Sequence, residues 1–124
     1  MLLDSNIIIY SVQPENAHIR QLIADHNPAV SALSYLEVLG YHRLTQTDRL
    51  YFEQFFQVAQ VVPISQIVIE QAVLLRQMRR ITLGDAIIGG TAIVHNLNLV
   101  TRNTEDFRYF TQLRLLNTFE ANTI

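Results

Sequence analysis

The chain has 124 residues, about half of them apolar, with 11 acids against 9 bases and a formal charge of −2; every base is arginine, and there is no lysine and no cysteine. The length suits one domain, 1–124, able to bury one core, and the charge gives no whole-molecule attraction to nucleic acid, so any polyanion site must be local. The missing cysteines exclude disulfides, thiolate zinc centres and cysteine nucleophiles.

In chain order, "LLDSNIIIY" (2–10) is rich in β-branched residues and reads as a buried strand. Pro14-Glu15 marks a helix start, with Ile19, Leu22 and Ile23 at helical spacing, and Asn27-Pro28 closes it. "AVSAL" (29–33) is a second strand. Ser34-x-x-Glu37 opens the helix "SYLEVLGYHRL", and Thr45 or Thr47 leads into the aromatic-rich helix "DRLYFEQFFQVA". "QVVPI" (60–64) is a third strand. "SQIVIEQAVLLRQMRR" (65–80) is an amphipathic helix, with Val68, Ala72, Leu75 and Met78 on one face. Thr82-x-x-Asp85 starts a nearly apolar helix through Val94, whose run "AIIGGTAIV" is far shorter than the roughly 20 residues that span a bilayer. "LNLVT" (97–101) and "LRLLNTF" (113–119) are the fourth and fifth strands. Alternation of this kind implies an α/β domain, a parallel β-sheet of about five strands sandwiched between helices. No basic leader precedes the apolar start, so the reading is a cytoplasmic protein with no membrane partner.

In open parallel sheets, sites form at the carboxyl ends of strands. Asp4 lies within the first apolar run, where an uncompensated charge is costly. Glu37 and Asp85 fall in helix first turns, and Asp106 follows the fourth strand in "LVTRNTEDF" (99–107). Singly, each has a structural explanation. Ser34-x-x-Glu37 and Thr82-x-x-Asp85 match the capping box, Asp4 can be held by nearby N–H groups, Asp106 is a solvated loop acid, and Asn103 suits a turn. Together, four converging carboxylates would repel one another and raise their pKa values unless a cation intervened. A hard divalent ion, Mg²⁺ or Mn²⁺, takes oxygen ligands and promotes phosphodiester hydrolysis.

"LLDSNIIIY", "SALSYLEVLG" and "LGDAIIGGTAIVHNLNLVTRNTEDF" resemble the PIN-domain family, and within it the VapC-type toxin ribonucleases of type II toxin–antitoxin pairs. The resemblance runs in order over nearly the whole chain. It implies a PIN-like fold and Mg²⁺- or Mn²⁺-dependent endoribonuclease activity, with the family's acids at Asp4, Glu37, Asp85 and Asp106. The fourth position is open between Asp106 and Asn103, because some branches place that group two residues after the Thr. Ser5 stands where Thr is commoner, and Gly89-Gly90 where Ala is frequent.

On this reading Asp4, Glu37 and Asp85 hold one metal, Asp106 orders a second ion or a water, and cleavage leaves 5′-phosphate and 3′-hydroxyl ends. Ser5, Asn103, Arg102 and Arg43 are the candidate substrate contacts, with Arg79-Arg80 a second basic patch. The implied partners are RNA, a cognate antitoxin and a second copy in a homodimer. Tyr35, Tyr41, Tyr51, Phe52, Phe55 and Phe56 fit either a partner groove or the core. The alternative is a non-catalytic PIN-like module that binds RNA or protein. A receiver or phosphatase-like domain is disfavoured because both use a lysine.

Overall fold

A computed structural model describes residues 1–119. Its centre is a five-stranded, wholly parallel sheet in the order β3-β2-β1-β4-β5. The strands are short: β1 Leu2–Leu3, β2 Ala29–Ser31, β3 Gln60–Val62, β4 Leu99–Val100 and β5 Leu115–Leu116. Seven helices connect them: α1 Ser5–Ser11, α2 Ala17–His26 after a 3-10 turn at Pro14–Asn16, α3 Ala32–Leu39, α4 Gln46–Val58, α5 Gln66–Met78, α6 Leu83–Val94 and α7 Thr104–Phe107. Among the described residues, no helix is long and apolar enough to cross a membrane.

The period-2 alternation of strand side chains divides the interior into two cores. Leu2, Ala29, Val62 and Leu99 face one side, with Leu75, Ala86, Ile88 and Phe107 from α5, α6 and α7. Leu3, Val30 and Val100 face the other, with Ile7, Ile8, Val38, Phe52 and Phe56 from α1, α3 and α4. Helices thus cover both faces, as continuous apolar strands require. At Gly90 the α6 backbone comes close to α5: a Cβ there would stand 3.1 Å from the Val68 carbonyl oxygen and 3.2 Å from the Ala72 nitrogen, both backbone atoms of α5.

The observed strands are shorter than the sequence runs, α3 stops at Leu39, and a short helix α7 forms in the tip after β4; two further boundary differences bear on the site. The first run is a strand only through Leu3; from Ser5 it is helical, and Asp4 stands as the N-cap rather than inside a strand. Ser5, Ile7, Ile8 and Ser11 are buried while Asn6 and Ile9 are exposed, a helical rather than alternating pattern. The helix cost of a β-branched run is only a few tenths of a kcal/mol per residue, about an order of magnitude below what burying two isoleucines returns. Likewise β2 ends at Ser31, whose hydroxyl accepts from the Leu33 N–H at 3.0 Å and caps α3. Ser34 is therefore inside the helix, fully buried, and does not form a capping box with Glu37.

Candidate metal centre

β1 lies between β2 and β4, and the chain leaves β1 toward β2 while β4 pairs on the other side. This is the switch point at which crevices open in parallel sheets. The register Leu3↔Val100 brings the next residues, Asp4 and Thr101, side by side at the carboxyl edge. The Asp4 N–H donates to the Val100 carbonyl at 2.9 Å, and the Thr101 hydroxyl donates to Asp4 Oδ2 at 2.8 Å. That hydroxyl in turn accepts from the Asn103 N–H at 2.9 Å. Thr101 is wholly buried, and the sequence marks it only as a hydroxyl ending an apolar strand beside a polar tip.

Asp4, Glu37 and Asp85 line one cleft of about 290 Å³, together with Ser5, Asn6, Thr82, Gly84 and Ile88. Ser5 supports Glu37: its hydroxyl donates to Oε1 at 2.7 Å and shares a 2.8 Å hydrogen bond with buried Ser34. Thr82 caps α6 by accepting from the Asp85 N–H at 3.1 Å, which fixes the acid in the first turn. Gly84 leaves space beside Glu37, where a Cβ would come within 3.4 Å of Oε2. Asp106 is exposed at the outer side, and the Asn103 side-chain amide joins it to the cleft by donating to Asp85 Oδ2 at 3.2 Å and to Asp106 Oδ2 at 3.1 Å.

Electrostatics follow this arrangement. Burial pushes the Asp4 carboxyl up, opposed by the hydrogen bonds from Thr101 and the Ser5 N–H. Asp85 is raised to about 6, first by burial and then by the charges of Asp4, Asp106 and, less strongly, Glu37. No arginine among the described residues forms an ion pair with any of the four acids. Among those residues, no three His, Cys, Asp or Glu side chains form a ready-made ligand group. The carboxylates converge on one cleft without closing upon a point. Asp4, Glu37 and Asp85 nevertheless bring hard oxygen donors to the cleft lining, a donor set that suits Mg²⁺ or Mn²⁺, which bind a few carboxylates and keep several waters.

The arginines go elsewhere. The Arg102 guanidinium lies 4.2 Å from the ring centroid of Phe119 and 5.2 Å from that of Tyr10. Arg43 lines a separate groove with Ile9, Tyr41, Asp48 and Phe52. Of the six aromatics, Phe52 and Phe56 are core, Tyr51 and Phe55 pack against it, and Tyr35 and Tyr41 are each 52% exposed.

A family model described as PIN domain matches residues 1–112. No curated protein matches the chain significantly. Among solved structures, the chain is similar to a toxin–antitoxin complex from Klebsiella pneumoniae, with 29% identity, 94% of this chain and 95% of that chain covered, and a TM-score of 0.78. It shares its fold with VapBC2 from Rickettsia felis bound to a DNA fragment from their promoter (21% identity, 94% and 96% covered, TM-score 0.77). The same holds for FitAcB from Neisseria gonorrhoeae (19% identity, 96% and 98% covered, TM-score 0.78). The matched model spans the strands and helices that build the acid-lined cleft, and the chain belongs to the PIN-domain family.

Proposed function

We propose that the protein is the toxin of a VapBC-type pair, a Mg²⁺- or Mn²⁺-dependent endoribonuclease. The observation that carries this reading is the convergence of Asp4, Glu37 and Asp85 on one cleft with no arginine paired to them. A divalent ion held there would supply a more acidic water and would neutralise charge on the phosphoryl oxygens. Asp4, Glu37 and Asp85 would hold it. Ser5 and Thr101 fix the direction of two of those carboxylates. Asn103 donates to both Asp85 and Asp106, which supports assigning to Asp106 the orienting of a second ion or a water. No histidine lines the cleft, which agrees with hydrolysis that leaves 5′-phosphate and 3′-hydroxyl ends rather than attack by the ribose hydroxyl. The similar structures from Klebsiella pneumoniae and Rickettsia felis are toxin–antitoxin assemblies, which supports an antitoxin partner here; a homodimer in the cytoplasm completes the proposal.

The test is cleavage of total RNA in Mg²⁺ by wild type and by Asp4→Asn, with mapping of the product ends. Cleavage by wild type alone, leaving 5′-phosphates, is expected. Equal cleavage by both proteins would remove the mechanism. No cleavage together with no metal binding would favour the non-catalytic RNA- or protein-binding module.

A further inference from the structure

The proposed reaction poses an electrostatic problem. A cleft of carboxylates repels the phosphates it must cleave, and neither Arg102 nor Arg43 lines it. A different group of arginines stands at its flank. Arg76, Arg79 and Arg80 line an open groove of about 570 Å³ at the end of α5. Arg80 precedes the α6 cap Thr82 by two residues, and Arg108 follows Asp106 by two. Each of these Cα pairs is therefore at most about 7.6 Å apart. The two segments meet at Tyr109. The Arg79 guanidinium stacks 3.4 Å from its ring centroid, and Arg108 donates to its hydroxyl at 3.2 Å. Four of the nine bases thus collect on a chain whose net charge is negative.

Helix capping accounts for only part of this. Arg76 donates to the Ile81 carbonyl at 3.2 Å just beyond the end of α5, as a base near a helix C-terminus commonly does. Arg79 instead leaves the helix axis for Tyr109, and among the described residues Arg76, Arg79 and Arg80 form no ion pair. Arg108 has one exposed ion pair, with Glu105 at 3.2 Å, and such a pair holds a guanidinium only weakly. Arg79 and Arg108 held by one aromatic ring, with exposed Arg80 next to Arg79 and only the weak Glu105 pair set against them, form an anion site in which bidentate contacts to phosphate are available.

We propose that Arg79 and Arg80, with Arg108 across Tyr109, grip the phosphodiester backbone of single-stranded RNA and lead it toward the acid cleft. This rests on the nuclease reading for the identity of the polyanion. It assigns the backbone contacts to the α5–α6 turn and the end of α7, not to Arg102 or Arg43. An acidic segment of a partner protein is the competing occupant.

The test is anisotropy of a fluorescein-labelled single-stranded RNA of about a dozen nucleotides, in EDTA to prevent cleavage, across a salt series. For single strands each neutralised phosphate contributes a log–log salt slope of about −0.7. Arg79→Gln/Arg80→Gln should therefore bind about 10- to 30-fold more weakly at 0.1 M salt, with a slope shallower by about 1.4. Arg79→Lys/Arg80→Lys should restore the slope, and Arg108→Gln alone should show about half the effect. Mn²⁺ affinity by calorimetry should not change in any of them. Unchanged RNA affinity and slope would overturn the proposal, including where the Gln variant instead loses a co-expressed antitoxin. Weaker binding with an unaltered salt slope would also overturn it, because the residues would then act through the fold. If wild type binds no metal and cleaves nothing, yet its RNA binding depends on these arginines, the nuclease reading fails while this assignment stands.

Discussion

Asp85→Asn should stabilise the metal-free protein while removing a ligand of the proposed metal site. Asp85 is partly buried in the first turn of α6 and faces the charges of Asp4, Asp106 and Glu37. The rise of its pKa from 3.8 to about 6 corresponds to about 3 kcal/mol of unfavourable charging in the folded state. The side chain keeps contact with water, so screening reduces this to about 1–2 kcal/mol. The sign follows from linkage. The unfolded chain ionises Asp85 from about pH 3.8 and the folded chain only from about pH 6, so the penalty is absent below the first value, grows between them and is complete above the second. Asparagine keeps an oxygen to accept from Asn103 and carries no charge. In thermal denaturation with chelator at pH 7.5, Asp85→Asn should therefore melt about 3–8 °C above wild type, a difference that closes toward pH 4. Added Mn²⁺ should raise the midpoint of wild type and leave that of the variant in place. An unchanged or lower midpoint at pH 7.5 would refute the claim that unneutralised repulsion acts on this residue.

Three further outcomes follow from other contacts. Thr101→Val keeps the shape but leaves Asp4 Oδ2 and the Asn103 N–H without their hydroxyl partner, so denaturant unfolding should report a loss of about 1–3 kcal/mol, and Thr101→Ser should recover most of it. Asn103→Asp replaces the amide bridge between Asp85 and Asp106 with a further carboxylate; it should lower the melting point in chelator and tighten Mn²⁺ binding by calorimetry, and a variant that melts as wild type in chelator would count against the bridge. Gly90→Ala places a methyl against the α5 backbone; the overpacking cost of about 1–3 kcal/mol should exceed the roughly 1 kcal/mol gain in helix propensity, and a stabilised variant by denaturant titration would show that the two helices are free to separate.

The parts of the fold legible in the sequence are those whose local signals agree with their packing. α6 begins where Thr82 stands before an apolar run, and its hydroxyl accepts the Asp85 N–H as the capping pattern requires; the amphipathic run 65–80 forms α5, with Ser65 as its cap. The parallel sheet was visible in the alternation of strands and helices. The start of α1 was not, because Ile7–Ile9 carry strand propensity and only the burial of Ile7, Ile8 and Ser11 against the sheet decides for a helix. The choice of Ser31 over Ser34 as a cap is of the same kind: two serines compete, and the length of β2 settles which one ends the strand. Of the candidate acids, Asp85 could be read in the helix first turn that Thr82 signals, whereas Glu37 falls in the second turn of α3 because that helix starts at Ala32. The side chains that support the acids could not be read. The Thr101–Asp4, Ser34–Ser5 and Asn103–Asp85 bonds join residues 97, 29 and 18 positions apart, and the path of Arg102 toward Tyr10 and Phe119 depends on how the tip after β4 turns.

The central claim, that Asp4, Glu37 and Asp85 share their company with a divalent ion, is tested most directly by calorimetric titration of Mn²⁺ into wild type, Asp4→Asn, Glu37→Gln and Asp85→Asn at pH 7.5 and at pH 5. Saturable binding by wild type is expected, weaker at pH 5 where Asp85 holds its proton, with a loss of roughly tenfold or more in affinity in each variant at pH 7.5. Wild-type binding that survives all three substitutions, or no binding by wild type at either pH, would contradict the claim.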